Sequence, residues 1–520
     1  MNLVITHYHL ETSGVTRVIT GQLRALEATQ DSGAPLRVFV FHGGARYDPG
    51  KAEVSRRGGL DVEFVLLPGL SYDGAAGPEP ASLGSQFLSF FVDHNLSPDD
   101  TVVHAHNHSL GRNSAVPAAL GALAEAGYPL LLQIHDFAED FRPDNYRHLV
   151  QTLGAGDPHA VPARLYPQAS HIHYAVLNNR DGAILSAAGV APERLHLLAN
   201  PVSAPAPLPR PADARRRLFD RFAVEPSERF VLYPVRCIRR KNVGETLLWS
   251  ALAPDATRFG MTLPPSDPRD QPTYRRWRDL AAELKLPCLF ETSGAHGLDF
   301  TENLAAADLI ITTSVTEGFG LPILESWLTG HTIVGRDLPE ITRDFRATGV
   351  QLDYLRPRLD VSLDWIGARK AVTSLEQSYR EILSAYGRPQ PDAETLRAKL
   401  DSVTRNDSID FAQLSGPLQT ELIRMVCEDS ARQRALSESN AWIGESLALE
   451  SNAAHTQVTN NSRIIAKKYS DEACGRRLSI IYRRVLASPR ASSLAPPARR
   501  EAVLNAFLDI ARFHPIRVEE

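Results

Sequence analysis

Residues 311–327 read ITTSVTEGFGLPILESW, and this stretch says most about how the 520-residue chain folds. It predicts an apolar strand that ends at Thr312–Ser314, a loop with two glycines, and a helix that Pro322 opens. A backbone at glycine can approach a ligand closely, and N–H groups at a helix N-terminus bind anions. Glu317 precedes the helix and Glu325 is expected in its first turn. Two carboxylates would therefore bracket a ligand whose phosphates lie over the helix end.

The same alternation of short apolar runs with helix-length segments fills the first two-thirds of the chain, which is typical of parallel α/β architecture. Several of these runs are continuously apolar, as expected of parallel strands that are buried on both faces. The predicted strands lie near residues 3–6, 37–41, 62–67, 101–105, 130–134, 172–177, 195–198, 230–234, 258–263, 288–291, 308–313 and 332–335.

A proline-rich segment divides the strands into two series. Residues 201–211 contain five prolines and predict an extended connector. We therefore expect an N-terminal Rossmann-like domain over residues 1–205 and a C-terminal one over residues 206–469. Two such doubly wound domains would face each other across a cleft, with ligands beyond the carboxyl ends of the strands. A helical insertion is expected over about residues 356–469 and further helices over residues 470–520.

Composition excludes several classes of function. The 56 Lys and Arg against 61 Asp and Glu give a net charge of -5, which is too balanced for a nucleic-acid-binding protein. The four cysteines show no CxxC spacing, which argues against a zinc ribbon or a disulfide framework and favours the cytoplasm. We find no run of about 18 apolar residues and no signal peptide. The P-loop, GxSxG and Asp-x-Asp motifs are also missing.

A second anion-binding signal is VLYPVRCIRRKN, residues 231–242, where basic side chains follow a strand of the second series. Arg236 and Lys241 could neutralise a diphosphate, because each charge-assisted hydrogen bond contributes about 1.5–3 kcal/mol. Taken alone, this pair could equally be a basic surface loop. Together with the helix N-terminus at residues 319–322, it predicts a diphosphate site.

Polar residues also follow strands of the first series. Gly14 lies in the turn after the first strand, but the turn lacks the GxGxxG dinucleotide fingerprint. A zinc site, a polar cleft for a sugar or an acceptor, and histidines with a structural role all remain open. The histidines concerned are His7, His9, His104, His106, His108 and His135, the last of which is followed by Asp136.

Over roughly residues 1–345, these motifs resemble the retaining GT-B glycosyltransferases, particularly the large family 4. Ser13 departs from the family, since many members have a first glycine there, and residues 346–470 match no family pattern. Residues 470–486 look like the family's final helix, which tends to cross back to the first domain. The resemblance rests on Gly14, His135-Asp136, Asn200-Pro201, Arg236 with Lys241, and Glu317 to Glu325 as a Glu-x7-Glu motif.

The resemblance implies a GT-B fold and a retaining hexosyltransferase. Such an enzyme moves a hexose from a nucleotide-diphosphate sugar to a hydroxyl acceptor, with no metal or other cofactor. A donor phosphate oxygen would accept the acceptor's proton, so no protein base is needed. His135 and Glu317 would be the catalytic residues, and Glu317 would bind hydroxyls of the donor sugar. The donor-binding residues would be Gly14, Arg236, Lys241, Phe319, Gly320, Leu321 and Glu325, and the acceptor-binding residues would be His106, Asn107, His108 and Asp136.

Within this interpretation, we expect the acceptor to be a soluble sugar or a small hydroxy compound. A lipid or cell-envelope acceptor is the alternative, because the last fifty residues carry nine Lys and Arg against six Asp and Glu, which would suit an anionic membrane surface. Two further alternatives are a metal-dependent hydrolase that uses His104, His106 and His108, and a non-catalytic nucleotide-binding protein with the same fold.

Overall fold

The computed structural model describes residues 1–11, 13–30, 36–44, 59–74, 80–205, 207–294, 296–405, 407–449 and 455–519. The chain forms two compact units. Unit 1 consists of Met1–Val202, Ala385–Gly387 and Lys467–Leu508, and unit 2 consists of Ser203–Ser384, Arg388–Ala466 and Asp509–Glu520.

The strands and helices alternate through both units. The strands are β1 (Asn2–His7), β2 (Leu36–His42), β3 (Leu60–Leu66), β4 (Thr101–His106), β5 (Leu130–Ile134), β6 (Ile172–Val176), β7 (Leu195–Leu197), β8 (Arg229–Arg236), β9 (Thr257–Leu263), β10 (Cys288–Leu289), β11 (Leu309–Thr312), β12 (Ile333–Arg336), β13 (Leu355–Arg356), β14 (Asp360–Ser362), β15 (Thr404–Arg405) and β16 (Ser408–Asp410). The helices are α1 (Gly14–Thr29), α2 (Pro80–Asp93), α3 (Ala115–Glu125), α4 (Pro143–Thr152), α5 (Val161–Leu165), α6 (Asn179–Ala188), α7 (Pro211–Phe222), α8 (Val243–Ala251), α9 (Gln271–Glu283), α10 (Phe300–Ala306), α11 (Leu321–Leu328), α12 (Pro339–Ala347), α13 (Leu363–Ile366), α14 (Ala368–Ala385), α15 (Ala393–Val403), α16 (Gly416–Glu428), α17 (Ser430–Ser439), α18 (Trp442–Leu447), α19 (His455–Lys468), α20 (Asp471–Leu486) and α21 (Ala502–Phe507).

The sheet of unit 1 has seven parallel strands in the order β3-β2-β1-β4-β5-β6-β7. The order reverses between β1 and β4, and such a switch point is where open α/β sheets bind ligands beyond the strand ends. His7 and His106 are the last residues of these two strands. His7 and His106 therefore lie at this edge of the sheet, whereas His104 lies within β4.

The main sheet of unit 2 has six parallel strands in the order β10-β9-β8-β11-β12-β13. Its order reverses between β8 and β11, so the loops after these two strands are neighbours. They are the loops that contain Lys241 and Glu317. All twelve predicted strands are confirmed as β1 to β12, and the two-sheet α/β architecture is confirmed with them.

The segment of residues 356–469, expected as a helical insertion, contains strands as well as helices. Helices α13 to α19 lie there, but β14, β15 and β16 form a small antiparallel sheet in the order β14-β16-β15. Val361 and Ile409 pair across this sheet and are buried, and their neighbours along each strand are polar. Strands of two or three residues are too short to show a clear alternation of apolar and polar residues.

The helix predicted over residues 470–486 is confirmed as α20, and it packs against α1 in unit 1. Cys474, Leu478 and Tyr482 of α20 share a buried core with Ile19 and Leu23 of α1. Fully burying one such large apolar side chain stabilises a fold by about 1.5–3 kcal/mol. Residues 509–519 belong instead to unit 2. Within the described ranges, no helix combines the length and the apolar character that crossing a lipid bilayer requires.

Candidate functional site

Two loops of unit 2 are joined where β8 and β11 end. The Tyr233 hydroxyl donates to the carbonyl oxygen of Lys241 at 3.0 Å and lies 2.8 Å from the Ser314 hydroxyl. The Thr313 hydroxyl donates to the same Lys241 carbonyl at 2.9 Å. These buried bonds fix the backbone of the short 3-10 turn Arg239–Lys241 against the loop after β11.

The Glu317 carboxylate lies between two cations in these loops. The Lys241 Nζ donates to Oε1 of Glu317, and Nη1 of Arg240 donates to Oε2 at 2.7 Å. The Lys241 and Glu317 side chains are only 7% and 9% exposed, whereas the Arg240 side chain is 34% exposed. We call these three residues the Glu317 cluster.

The protonation states in the Glu317 cluster depend on burial and on the interactions among its three members. Burial disfavours the ionised Glu317 carboxyl, but Arg240 and Lys241 outweigh it and lower the pKa of Glu317 to about 2. Burial lowers the pKa of the Lys241 ammonium to about 8; Arg240 adds to this lowering and Glu317 opposes it. At neutral pH all three groups are charged, and the cluster carries one net positive charge. A carboxylate has about four acceptor sites, so Glu317 can bind further donors.

The helix predicted after Glu317 is α11, and Gly320 is its N-cap. Gly320 has a φ of 89°, a left-handed conformation that favours glycine. Leu321 and Pro322 are the first two helical residues. Glu325 is expected in the first turn of α11, but it lies one turn later. The helix begins at Leu321, and four residues advance an α-helix by slightly more than one turn.

Phe319 contributes its side chain to the core of unit 2 rather than to a ligand site. Its ring is buried and packs edge-on against Phe345, with 5.5 Å between the centroids. Only its backbone remains suited to contact a ligand. In the role that the resemblance implies, this backbone at Phe319 to Leu321 would bind a phosphate or the sugar.

Arg236 lies outside the Glu317 cluster, and Arg240 occupies the place beside Glu317. Arg236 is the last residue of β8, is exposed, and donates from Nη1 to the Pro264 carbonyl at 2.9 Å. β8 continues past its predicted end at residue 234, with an irregular register between Tyr233 and Arg236. The sequence reasoning missed Arg240, although the basic run at residues 239–241 is a signal that could have indicated it.

In unit 1, His106 and His135 form a buried pair at the switch point. Nδ1 of His106 lies 3.0 Å from Nε2 of His135, and the two rings are stacked with 5.2 Å between centroids. Burial lowers the pKa of His135 to about 4 and that of His106 well below its usual value, so both imidazoles are neutral at pH 7. Nε2 of His106 is buried and has no hydrogen-bond partner among the described residues.

Asn107 holds the His135-Asp136 loop in place. Its Oδ1 accepts from the backbone N–H of Asp136 at 2.7 Å and of His135 at 3.3 Å, and its Nδ2 donates to the Asp136 carboxylate at 3.1 Å. Asn107 is buried and has a φ of 63°, which is uncommon for a residue other than glycine. Tyr8 fixes this conformation by donating its hydroxyl to the Asn107 carbonyl at 2.8 Å. The Asn107 amide thus positions the loop from within the protein.

The remaining residues predicted in unit 1 lie in different environments. Asp136 is one-third exposed and forms a 2.5 Å ion pair with Arg142. His108 is buried, and its Nε2 donates to the Leu165 carbonyl at 2.8 Å, which is a structural contact. Gly14 is the exposed first residue of α1, and a Cβ there would meet no described atom within 4 Å. The fold itself therefore does not require glycine at position 14.

His104, His106 and His108, the residues of the metal-hydrolase alternative, do not form a metal site with any residue that the structure describes. The two ring nitrogens of His104 lie 2.8 Å from the Tyr482 hydroxyl and 3.0 Å from Oε1 of Gln133, and His108 is bonded to a carbonyl. Across the part of the chain that the structure describes, no group of three or more His, Cys, Asp or Glu side chains could hold a metal ion.

The chain is similar to known glycosyltransferases in sequence and in fold. No family model matches it. A mannosylglucosyl-3-phosphoglycerate synthase from Petrotoga mobilis is 25% identical over 462 residues, which cover 87% of this chain and 86% of that protein. Among solved structures, a sucrose-phosphate synthase from Thermosynechococcus elongatus gives a TM-score of 0.53 at 15% identity, covering 94% of this chain and 99% of the other. A glycosyltransferase from Rickettsia africae gives 0.50 at 14% identity, with the same coverage. The predicted GT-B fold is confirmed, and so is the resemblance to its glycosyltransferases.

Proposed function

We propose that this chain, a glycosyltransferase with the GT-B fold, retains the configuration of the sugar that it transfers. In this proposal it moves a hexose from a nucleoside-diphosphate sugar to a hydroxyl group of a small soluble acceptor, without a metal cofactor. The observation that carries the proposal is the Glu317 cluster, in which Glu317 lies four residues before the first residue of α11. This arrangement supplies both cations and helix N–H groups to an anionic leaving group.

The difficult step in such a reaction is departure of the nucleoside diphosphate. Lys241 and Arg240 would stabilise its developing negative charge, each through a charge-assisted hydrogen bond of about 1.5–3 kcal/mol. N–H groups at the start of α11 would add dipoles of the same sign. We assign the ribose hydroxyls to Glu325 and the donor-sugar hydroxyls to Glu317, whose carboxylate keeps acceptor sites beyond its two ion pairs.

Retention would follow from attack on the face of the sugar from which the diphosphate leaves. The bond from C1 to the phosphate oxygen breaks, the bond from C1 to the acceptor oxygen forms, and the acceptor proton passes to a phosphate oxygen. No protein base is needed. His135 suits a mechanism without a protein base, because its neutral imidazole can donate a hydrogen bond to a sugar hydroxyl or accept one from it.

An acceptor with an acidic group fits the residues near the switch point of unit 1. The Arg112 guanidinium lies over the Tyr72 ring, 5.1 Å from its centroid, and forms no ion pair with a described residue. The Tyr72 hydroxyl lies 3.2 Å from Nε2 of His9, which follows β1. The sequence relative is named for a product that contains phosphoglycerate. We therefore expect phosphorylated or carboxylated sugars to be better acceptors than neutral sugars, and an Arg112→Gln variant to lose this preference.

The proposal is tested by incubating the purified protein with sugar nucleotides and candidate acceptors and by following the product with NMR. We expect transfer with the anomeric configuration of the donor preserved, at an unchanged rate after treatment with EDTA. An inverted product would contradict retention, and loss of transfer on chelation would contradict metal independence. Hydrolysis or binding without any transfer would favour a nucleotide-binding protein that lacks catalysis.

A further inference from the structure

The turn that carries Arg240 and Lys241 is held by residues far away in the sequence of unit 2. Arg239, the first residue of the turn, donates from its backbone N–H and its Nε to Oδ1 of Asp270 at 3.2 and 3.0 Å. Its Nη1 donates to the backbone carbonyl of Glu519 at 2.5 Å. One side of the turn is therefore anchored to the segment of residues 509–519.

Glu519 is itself fixed by α16. Its Oε1 accepts from the backbone N–H of Gly416, the first residue of α16, at 2.5 Å, and its Oε2 accepts from Nη1 of Arg276 at 2.9 Å. A Cβ at position 416 would overlap with the Glu519 carboxylate and the Arg276 guanidinium. Both groups end flexible side chains, so a larger residue at position 416 would displace the Glu519 carboxylate from the helix start.

α16 also contacts the residue that follows Lys241. The buried Gln419 donates from Nε2 to Oδ1 of Asn242 at 3.2 Å. Asn242 has a φ of 48°, a left-handed conformation that needs support from its surroundings. Its Nδ2 donates to Glu245 at 2.8 Å, and Glu245 is bonded to the buried Arg336 at 2.6 Å. The turn is thus linked to half-buried carboxyl and carbonyl groups at its first residue and to buried polar groups after its last.

We propose that Gly416, Gln419 and Glu519, which we call the support cluster, position the Arg240 and Lys241 cations for the diphosphate of the donor. Gly416 and Gln419 lie in the segment of residues 346–470 that matches no family pattern, and Glu519 lies in the last segment of unit 2. Its members are positioning residues, because they contact the turn or its anchors and not the reacting atoms. The inference rests on the proposed function, in which Lys241 and Arg240 bind that diphosphate.

Electrostatics and positioning predict opposite effects of removing the Glu519 carboxylate on the affinity for an anion. Removing a carboxylate near a cationic site would strengthen the binding of an anion, since a negative charge has been taken away. Loss of positioning would weaken it, because the turn could relax away from the geometry that two phosphate contacts require. The direction of the change in affinity therefore separates positioning from electrostatics.

The test compares the wild type with Glu519→Ala, Glu519→Gln and a control, Glu421→Ala, in the full chain. Glu421 lies on α16, the helix of Gly416 and Gln419, but it forms an exposed ion pair with Lys370. The Kd of UDP, GDP and ADP is measured by calorimetry, together with KM for the donor and for the acceptor, and folding is checked by circular dichroism. We expect Glu519→Ala to raise the Kd of the nucleoside diphosphate and the donor KM about tenfold, with the acceptor KM unchanged.

Glu519→Gln keeps one oxygen acceptor for Gly416 and loses the charge that pairs with Arg276, so its donor KM should lie between those of the wild type and Glu519→Ala. The control should bind like the wild type. If both Glu519 variants bind nucleotide as tightly as the wild type, or if donor and acceptor KM rise together, the positioning role is wrong. If the wild type itself binds no nucleoside diphosphate, the proposed function fails instead.

Discussion

The Lys241 ammonium is a buried charge, and in the proposed function the binding of the donor would depend on it. Its carbonyl is fixed by Tyr233 and Thr313, and its Nζ is fixed by the Glu317 carboxylate. Arg240 shares the same carboxylate, so two like charges are held close together only because a third, opposite charge joins them. Removing Glu317 would therefore both unpair a buried cation and release the geometry of the site.

The lowered pKa of Lys241 predicts a pH dependence of donor binding. Burial brings this pKa to about 8, so the unliganded protein loses the ammonium charge as the pH rises through that value. Nucleoside-diphosphate affinity should then fall by up to about tenfold per pH unit above pH 8, because binding must take up a proton. Below pH 8 the affinity should level off, since Glu317, with a pKa of about 2, stays ionised. Calorimetry across this range measures the effect.

Lys241→Arg is the matched variant for this prediction, because an arginine stays protonated throughout. If it binds nucleotide at all, its affinity should not change between about pH 7 and pH 9.5. A wild-type affinity that is equally constant would show that Lys241 is not the titrating group.

The geometry of Asn107 predicts a loss of turnover when its amide is removed. Asn107→Ala should lower kcat by about tenfold and leave donor KM within twofold, because the His135 loop loses three hydrogen bonds while the Glu317 cluster is untouched. Asn107→Gly should behave in the same way, although glycine tolerates the left-handed backbone. Asn95→Ala is the control, since Asn95 also has a positive φ but is exposed. An unchanged kcat in both Asn107 variants would contradict the positioning role.

Among the elements, α20 comes near the end of the sequence but packs in unit 1. Its apolar face, with Leu478 and Tyr482, covers α1 and joins the core formed by β1 and β2. The helix was expected from the resemblance of residues 470–486 to the final helix of the family. The small sheet of β14, β15 and β16 could not be predicted, because its strands are too short and owe their pairing to contacts far apart in sequence.

The close approach of α20 to α1 predicts that Gly475→Ala is destabilising. A Cβ at position 475 would overlap with the Ala25 carbonyl and the Thr29 hydroxyl, and overpacking of this kind costs about 1–3 kcal/mol. Gly121→Ala in α3 is the matched control, since no described atom lies within 4 Å of its Cβ. That change should stabilise the protein by about 0.5–1 kcal/mol. Urea denaturation measures both free energies of unfolding, and equal effects of the two substitutions would contradict the packing argument.

For the whole molecule, the sequence indicates the architecture well and the site less completely. The runs of apolar residues specify both parallel sheets, and the Glu-x7-Glu loop lies at the switch point of the second sheet. The sequence assigns the diphosphate to Arg236 and Lys241, whereas the two cations that the structure places beside Glu317 are Arg240 and Lys241. The direction of a side chain after a strand depends on where the strand ends, and the irregular register of β8 cannot be read from composition.

The sequence also could not predict which polar side chains point into the protein rather than towards a ligand. Asn107 and His108 follow β4 as acceptor-binding residues should, yet the amide of Asn107 holds a neighbouring loop and His108 bonds a buried carbonyl. Whether such a group faces a ligand or the protein is decided by tertiary contacts. The support cluster illustrates the same point, because Glu519 lies 278 residues after Lys241 in the sequence.

Binding of a nucleoside diphosphate to the Glu317 cluster is the claim on which the whole account depends. The most direct measurement is calorimetric titration of UDP, GDP and ADP into the wild type, Lys241→Ala and the control Lys370→Ala, whose lysine lies in an exposed ion pair. We predict that at least one diphosphate binds the wild type and Lys370→Ala equally, and that Lys241→Ala weakens this binding about tenfold or more. Equal binding by Lys241→Ala, or no binding of any of the three diphosphates by the wild type, would contradict the account.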